Sequence, residues 1–116
     1  MTPKKVAAKK NKTAKPKANQ NLQHALEAKV ARYETLTKKG LEKISILARK
    51  GTKEYAVAMD YVSMAQNYFN DAKHFRAQGE LLIALAAFSY AHAWLDAGVR
   101  AGLFDGKNDD QLFTLP

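Results

Sequence analysis

Gly51 and Gly79 limit this fold more than any other feature, because they cut a nearly unbroken helical periodicity into three stretches. Upstream of Gly51, Leu22, Leu26, Val30, Tyr33, Leu36, Leu41, Ile44 and Leu47 recur mostly at steps of three or four residues, which places them along one face of an α-helix. The helix is expected to start near Asn19 to Asn21, either able to cap it, and to run through Gly40 despite a propensity cost of up to ~1 kcal/mol there.

Thr52 follows Gly51 and can cap a second helix from about Lys53 to Gln78. Tyr55, Met59, Val62, Gln66, Phe69 and Lys73 form one stripe of it, and Ala58, Tyr61, Ala65, Tyr68, Ala72 and Phe75 lie on neighbouring stripes. That wide apolar coverage suits a helix packed against two partners. Gly79 can take the left-handed conformation that closes a helix, and a third helix is expected from Glu80 to about Ala101. Its many alanines allow close backbone approach, so helices 2 and 3 read as an antiparallel hairpin with the long helix 1 laid along it. The fold class is all-α, a three-helix bundle over residues 21–104. Residues 105–116 form a polar loop and an apolar C-terminal tail ending in Leu112, Phe113 and Leu115, expected to dock on its own domain.

The charge is divided unevenly. Residues 1–53 hold fifteen Lys and Arg against Glu27, Glu34 and Glu42, a net of +12, whereas residues 54–116 carry a net of −4. Within the first 20 residues stand Lys4, Lys5, Lys9, Lys10, Lys12, Lys15 and Lys17 with no acid and almost no apolar content, a composition expected to be disordered in isolation. Such a tail can neutralise phosphates and release counterions, with a log-log salt slope of about −5 to −6 if all seven lysines engage. Lys38, Lys39, Lys43, Arg49, Lys50 and Lys53 form a second basic cluster, expected to be a folded anchor beside the flexible arm. Neither cluster has interleaved aromatic residues, so backbone contact is favoured over base reading.

Other chemistries have little support. The chain has no cysteine, which removes disulfides, thiolate metal sites and cysteine nucleophiles. Asp71 with His74 and His92 with Asp96 could each face one way on a helix, but a turn at Gly79 places the pairs about 12 Å apart along the bundle, too far for one metal. Each is expected to be a local hydrogen bond or a surface pair, and His24 has no obvious partner. No phosphate loop, nucleophile elbow or paired catalytic carboxylate motif occurs, so no enzyme activity, cofactor or metal is expected. Tyr55, Tyr61, Tyr68, Phe69, Phe75, Phe88, Tyr90, Trp94 and Phe104 stand at helical spacing and read as core, with some Tyr or Trp tips near the surface. The longest apolar stretch, Leu81 to Leu95, is too short for a bilayer span and contains Ser89, Tyr90 and His92, so no membrane partner is expected. The basic start lacks the apolar stretch of an export signal, and a cytoplasmic location is expected.

The run from Ala65 to Phe104 resembles the signature of a family of small archaeal helical proteins, domain of unknown function 357. Tyr68, Asp71, Ala72, Phe75, Gly79, Ala84, Tyr90, Ala91, Trp94, Leu95, Asp96, Ala97, Gly98, Arg100, Gly102 and Leu103 carry the likeness. The segment Trp94 to Gly98 is its most specific part, and a looser likeness reaches back to residue 22. The resemblance implies a helical bundle in an archaeal cytosol and supplies no activity or catalytic residue. The expected function is a non-catalytic RNA-associated protein, with rRNA or a ribonucleoprotein such as the ribosome as its partner. A helical protein-interaction module, a self-associating bundle and a DNA-coating chromatin protein are the alternatives.

Overall fold

The structure, a computed structural model, describes residues 17–116. Lys4, Lys5, Lys9, Lys10, Lys12 and Lys15 of the expected tail lie outside the described residues. Three helices dominate: α1 (Lys17–Lys43), α2 (Lys53–Ala77) and α3 (Leu81–Arg100). The first begins at Lys17, so residues 17–20, assigned from sequence to the tail, form its first turn.

The α2 boundaries follow their local chemistry. The Thr52 hydroxyl accepts from the backbone N–H of Tyr55 at 3.1 Å and donates to the carbonyl of Arg49 at 2.6 Å, which satisfies one of the free donors at the helix start. At the other end Gly79 takes φ 78°, and the next N–H, of Glu80, returns to the carbonyl of Phe75 at 2.9 Å. This is a left-handed helix stop that a residue with a Cβ adopts only at a cost. The resulting hairpin has the register that a turn at Gly79 dictates, with the Phe69 ring against Phe88 and the Tyr68 ring against Tyr90.

The expected continuation of helix 1 to residue 50 is not observed. The helix passes through Gly40 but stops at Lys43, and Ser45–Ile46 (β1) pairs antiparallel with Phe104–Asp105 (β2). Leu47 extends this bridge by donating to the carbonyl of Leu103 at 3.0 Å. Ile44 and Leu47 keep the three-residue step of the helix in sequence, yet the backbone groups of residues 45–47 are satisfied by the chain after α3. That partner lies more than fifty residues away, and tertiary pairing overrides local propensity here.

The core lies in two packed groups along the bundle. Toward the Gly79 end, Val30 of α1 meets Phe69, Ala72, Ala84, Phe88 and Ala91. Toward the other end, Ala58, Ala65, Leu95 and Val99 pack with Phe104, Leu112 and Phe113. The C-terminal tail therefore docks on its own domain, as expected. By length and composition α3 is long and apolar enough to cross a membrane. Here Ala84, Phe88, Ala91, Leu95, Gly98 and Val99 are its buried residues, and it packs on both other helices.

Asp109 ties the C-terminal segment to α1. Its carboxylate accepts from Lys43 Nζ at 2.8 Å and from the backbone N–H groups of Gln111 and Leu112 at 3.0 and 3.1 Å. The Lys43 hydrogen bond, followed by those backbone donors, holds this carboxyl below its ordinary value of 3.8. A depressed carboxyl favours the folded state above 3.8, and that contribution fades as pH falls through the lower folded value. The amide signals of Gln111 and Leu112 should therefore titrate with a midpoint below 3.8 in an NMR pH series, and Lys43→Gln should move that midpoint up toward 3.8. A midpoint already at 3.8 in the unaltered chain would contradict the assignment.

Candidate nucleic-acid interface

Helix α1 carries residues of the two basic segments at its ends, with Lys29 and Arg32 exposed between them. Lys17 is its first residue, and Lys38, Lys39 and Lys43 occupy its last two turns. At ~1.5 Å per residue the helix holds Lys17 and Lys38 about 32 Å apart. The chain from residue 17 back toward the N-terminus departs from one end of α1, and the second cluster stands near the other. Gln23 and Leu26 of the first turns line a surface hollow with Gly79 and Leu81 to Ile83, which places that end of α1 at the hairpin turn.

The second cluster is divided between α1, the following loop and the first residue of α2. Lys38, Lys39, Arg49, Lys50 and Lys53 are exposed, and among the described residues none of them forms an ion pair. Lys43 differs, because its ammonium is committed to Asp109. Five of the six cations are thus free to meet an anion without first breaking an internal contact. Lysine ammonium groups suit point contacts with phosphate oxygens, and Arg49 alone offers a planar fork able to grip one bidentately.

The histidine and aspartate pairs have different fates. Asp71 and His74 are both exposed on α2, and among the described residues no hydrogen bond joins them. His24 is also exposed. His92 is part-buried and belongs to a polar link across the bundle. Its Nε2 lies 2.6 Å from the carbonyl of Leu112, which can only accept, so Nε2 carries the hydrogen. In the neutral ring Nδ1 then accepts from the Thr37 hydroxyl at 3.2 Å, and the Phe113 ring stacks on one face. Asp96 Oδ1 is 3.8 Å from Nε2 and accepts from the backbone N–H of Thr114 at 2.9 Å. Among the described residues no three His, Asp or Glu side chains stand close enough to share a metal ion.

Sequence reasoning missed Thr37, the one buried polar side chain among the described residues. It stands seven residues after Val30 on the same face of α1, a position that invites an apolar residue, and its hydroxyl is what makes it pair with His92. Replacing it with valine keeps the shape and leaves Nδ1 of His92 without its donor. Thr37→Val should cost ~1–2 kcal/mol in urea unfolding, and a cost near zero would show that the link is dispensable.

The aromatic residues divide between core and surface. Phe69, Phe88, Phe104 and Phe113 are buried, whereas Tyr90 is 48% exposed. The indole N–H of Trp94 is buried without an acceptor, and the Trp94 ring meets those of Tyr61 and Tyr90 edge-on.

The profile of a family described as "Protein of unknown function (DUF357)" matches residues 32–104. Neither a curated protein nor a solved structure matches the chain.

Proposed function

This chain belongs to the DUF357 family, whose description assigns no activity, and from its own surface we propose that it is a non-catalytic, cytoplasmic RNA-associated protein that binds phosphate backbone through lysines. The observation that supports this reading most is the set of exposed cations without ion pairs at Lys38, Lys39, Arg49, Lys50 and Lys53. Side chains that release counterions without losing an internal partner contribute their full share to phosphate binding. Lys4, Lys5, Lys9, Lys10, Lys12, Lys15 and Lys17 add a second basic segment joined to the far end of α1.

In this reading, a ribonucleoprotein surface such as the ribosome offers phosphate tracks long enough to engage both ends of α1 together. A short duplex DNA engages fewer of the same cations. The reading predicts a higher affinity for rRNA than for matched duplex DNA in a competition monitored by fluorescence anisotropy. Equal competition by the DNA would favour a DNA-coating role. A specific observation also favours a helical interaction module, namely an uncovered aromatic groove on the α2/α3 hairpin.

A further inference from the structure

On the side of the hairpin away from α1, Tyr68 and Phe75 of α2 face Ile83 and Tyr90 of α3 across an apolar groove of about 470 Å³. No α1 residue lines it. Ile83 and Tyr90 are 46% and 48% exposed, and Ala86, one helical turn from each, leaves room between them for an incoming side chain. The aromatic strip continues from Tyr90 to Trp94 and Tyr61 through edge-on ring contacts. From Phe75 to Tyr61 it is about 21 Å long, close to four turns of a helix.

The charge of this surface decides among occupants. Asp71 is the one ionised side chain lining the groove, and α3 carries no Asp, Glu, Lys or Arg between Leu81 and Leu95. RNA phosphates would meet a carboxylate with no compensating cation. A second copy of this chain docked about a two-fold axis at the middle of the strip, near Tyr68, would bring two Asp71 carboxylates to within about 9 Å of each other along the strip, in apolar surroundings. Like charges stripped of water repel strongly. A partner helix that presents a cation at this point satisfies the carboxylate instead.

We propose that the groove receives an amphipathic helix of a protein partner, with apolar residues at i, i+3 or i+4, and i+7, and a Lys or Arg that pairs with Asp71. The helix lays its apolar face over Tyr68, Phe75, Ile83 and Tyr90, with Ala86 accepting its largest side chain. This site is separate from the basic residues of α1, so neither reading depends on the other.

A phage-displayed library of random 16-residue peptides, selected on the full chain and counter-selected on Ala86→Arg, tests the proposal. Ala86 is exposed and arginine is a strong helix former, so that variant should retain its circular dichroism. Tyr90→Ala provides a second block that adds no charge. The expected outcome is enrichment of peptides with the apolar spacing above and a basic residue. Resynthesised without Trp, the leading peptide should change Trp94 emission saturably, because Trp94 is the chain's single tryptophan and abuts Tyr90. Its affinity should fall at least about tenfold on Ala86→Arg and on Tyr90→Ala, about fivefold on Asp71→Asn, and not at all on Asp60→Asn. The proposal is overturned by no enrichment, by enriched peptides that bind both groove variants equally, or by peptides indifferent to Asp71→Asn. A concentration-dependent dimer abolished by Ala86→Arg would also overturn it, in favour of a second copy.

Discussion

Phe104→Ala is expected to lower the unfolding free energy by about 3–5 kcal/mol, the largest effect of a single substitution outside the binding surfaces. The Phe104 ring is 2% exposed and fills the space over Gly98, where an added Cβ would overlap the ring carbons. The same residue pairs with Ile46 in the β1–β2 bridge, so its loss removes packing from α3 and loosens the segment that ends α1. Gly98→Ala attacks the same contact from the other side, since the methyl cannot enter unless the ring leaves, and should cost about 1–3 kcal/mol. In the double variant the methyl occupies the vacated space, so the two costs should sum to clearly more than the double variant's own cost. Urea unfolding of all four chains measures this coupling. Additive costs would mean that Gly98 and Phe104 destabilise through separate contacts.

The second large effect concerns binding. Replacing Lys38, Lys39, Arg49, Lys50 and Lys53 together by glutamine should reduce affinity for rRNA by about three orders of magnitude near 0.1 M salt, with the log-log salt slope shallower by about 3.5. None of the five forms an ion pair among the described residues, so the helical circular dichroism and urea midpoint should stay close to those of the unaltered chain. Lys43→Gln provides the contrast. Its ammonium is held by Asp109, so its loss should change the anchoring of the C-terminal segment more than the salt slope. If Lys43→Gln weakened RNA binding as much as Lys39→Gln does, the division of the cluster into free and committed cations would be wrong.

The two ends of α2 were legible because single residues determine them. Thr52 supplies a hydroxyl at the start, and Gly79 a left-handed backbone after the end. The hairpin register then follows from the position of the turn alone. The end of α1 was not legible, since Ile44 and Leu47 continue the helical step and only the pairing with Phe104–Asp105 removes them from the helix. The buried face of α1 was also partly hidden. Val30, Thr37 and Gly40 form it, and the latter two drop out of any search for apolar periodicity, while Leu22, counted in the apolar stripe, is 68% exposed.

For the candidate interface, the basic residues could be named from the charge distribution, but their mutual placement could not be taken from their nearness in the chain. The rise of a continuous α1 separates Lys17 from Lys38, a distance that helix geometry already implied. The partners of His92 lie twenty and fifty-five residues away, at Leu112 and Thr37, and no local spacing points to them. Asp71 stands at helical spacing from His74 in the sequence, whereas the hairpin sets it in a groove with Tyr68 and Tyr90.

The most direct test of the RNA-associated reading is a salt titration of binding to total rRNA and to matched duplex DNA, comparing the full chain with one beginning at Asn21. Residues 18–21 are exposed, so the shortened chain keeps the whole core. The full chain should prefer rRNA, and shortening it should weaken binding and make the salt slope shallower by about five, the share of seven lysines on single-stranded phosphates. An unchanged slope, or no binding to rRNA by the full chain, would contradict that reading and leave the surface of the helical bundle as the seat of function.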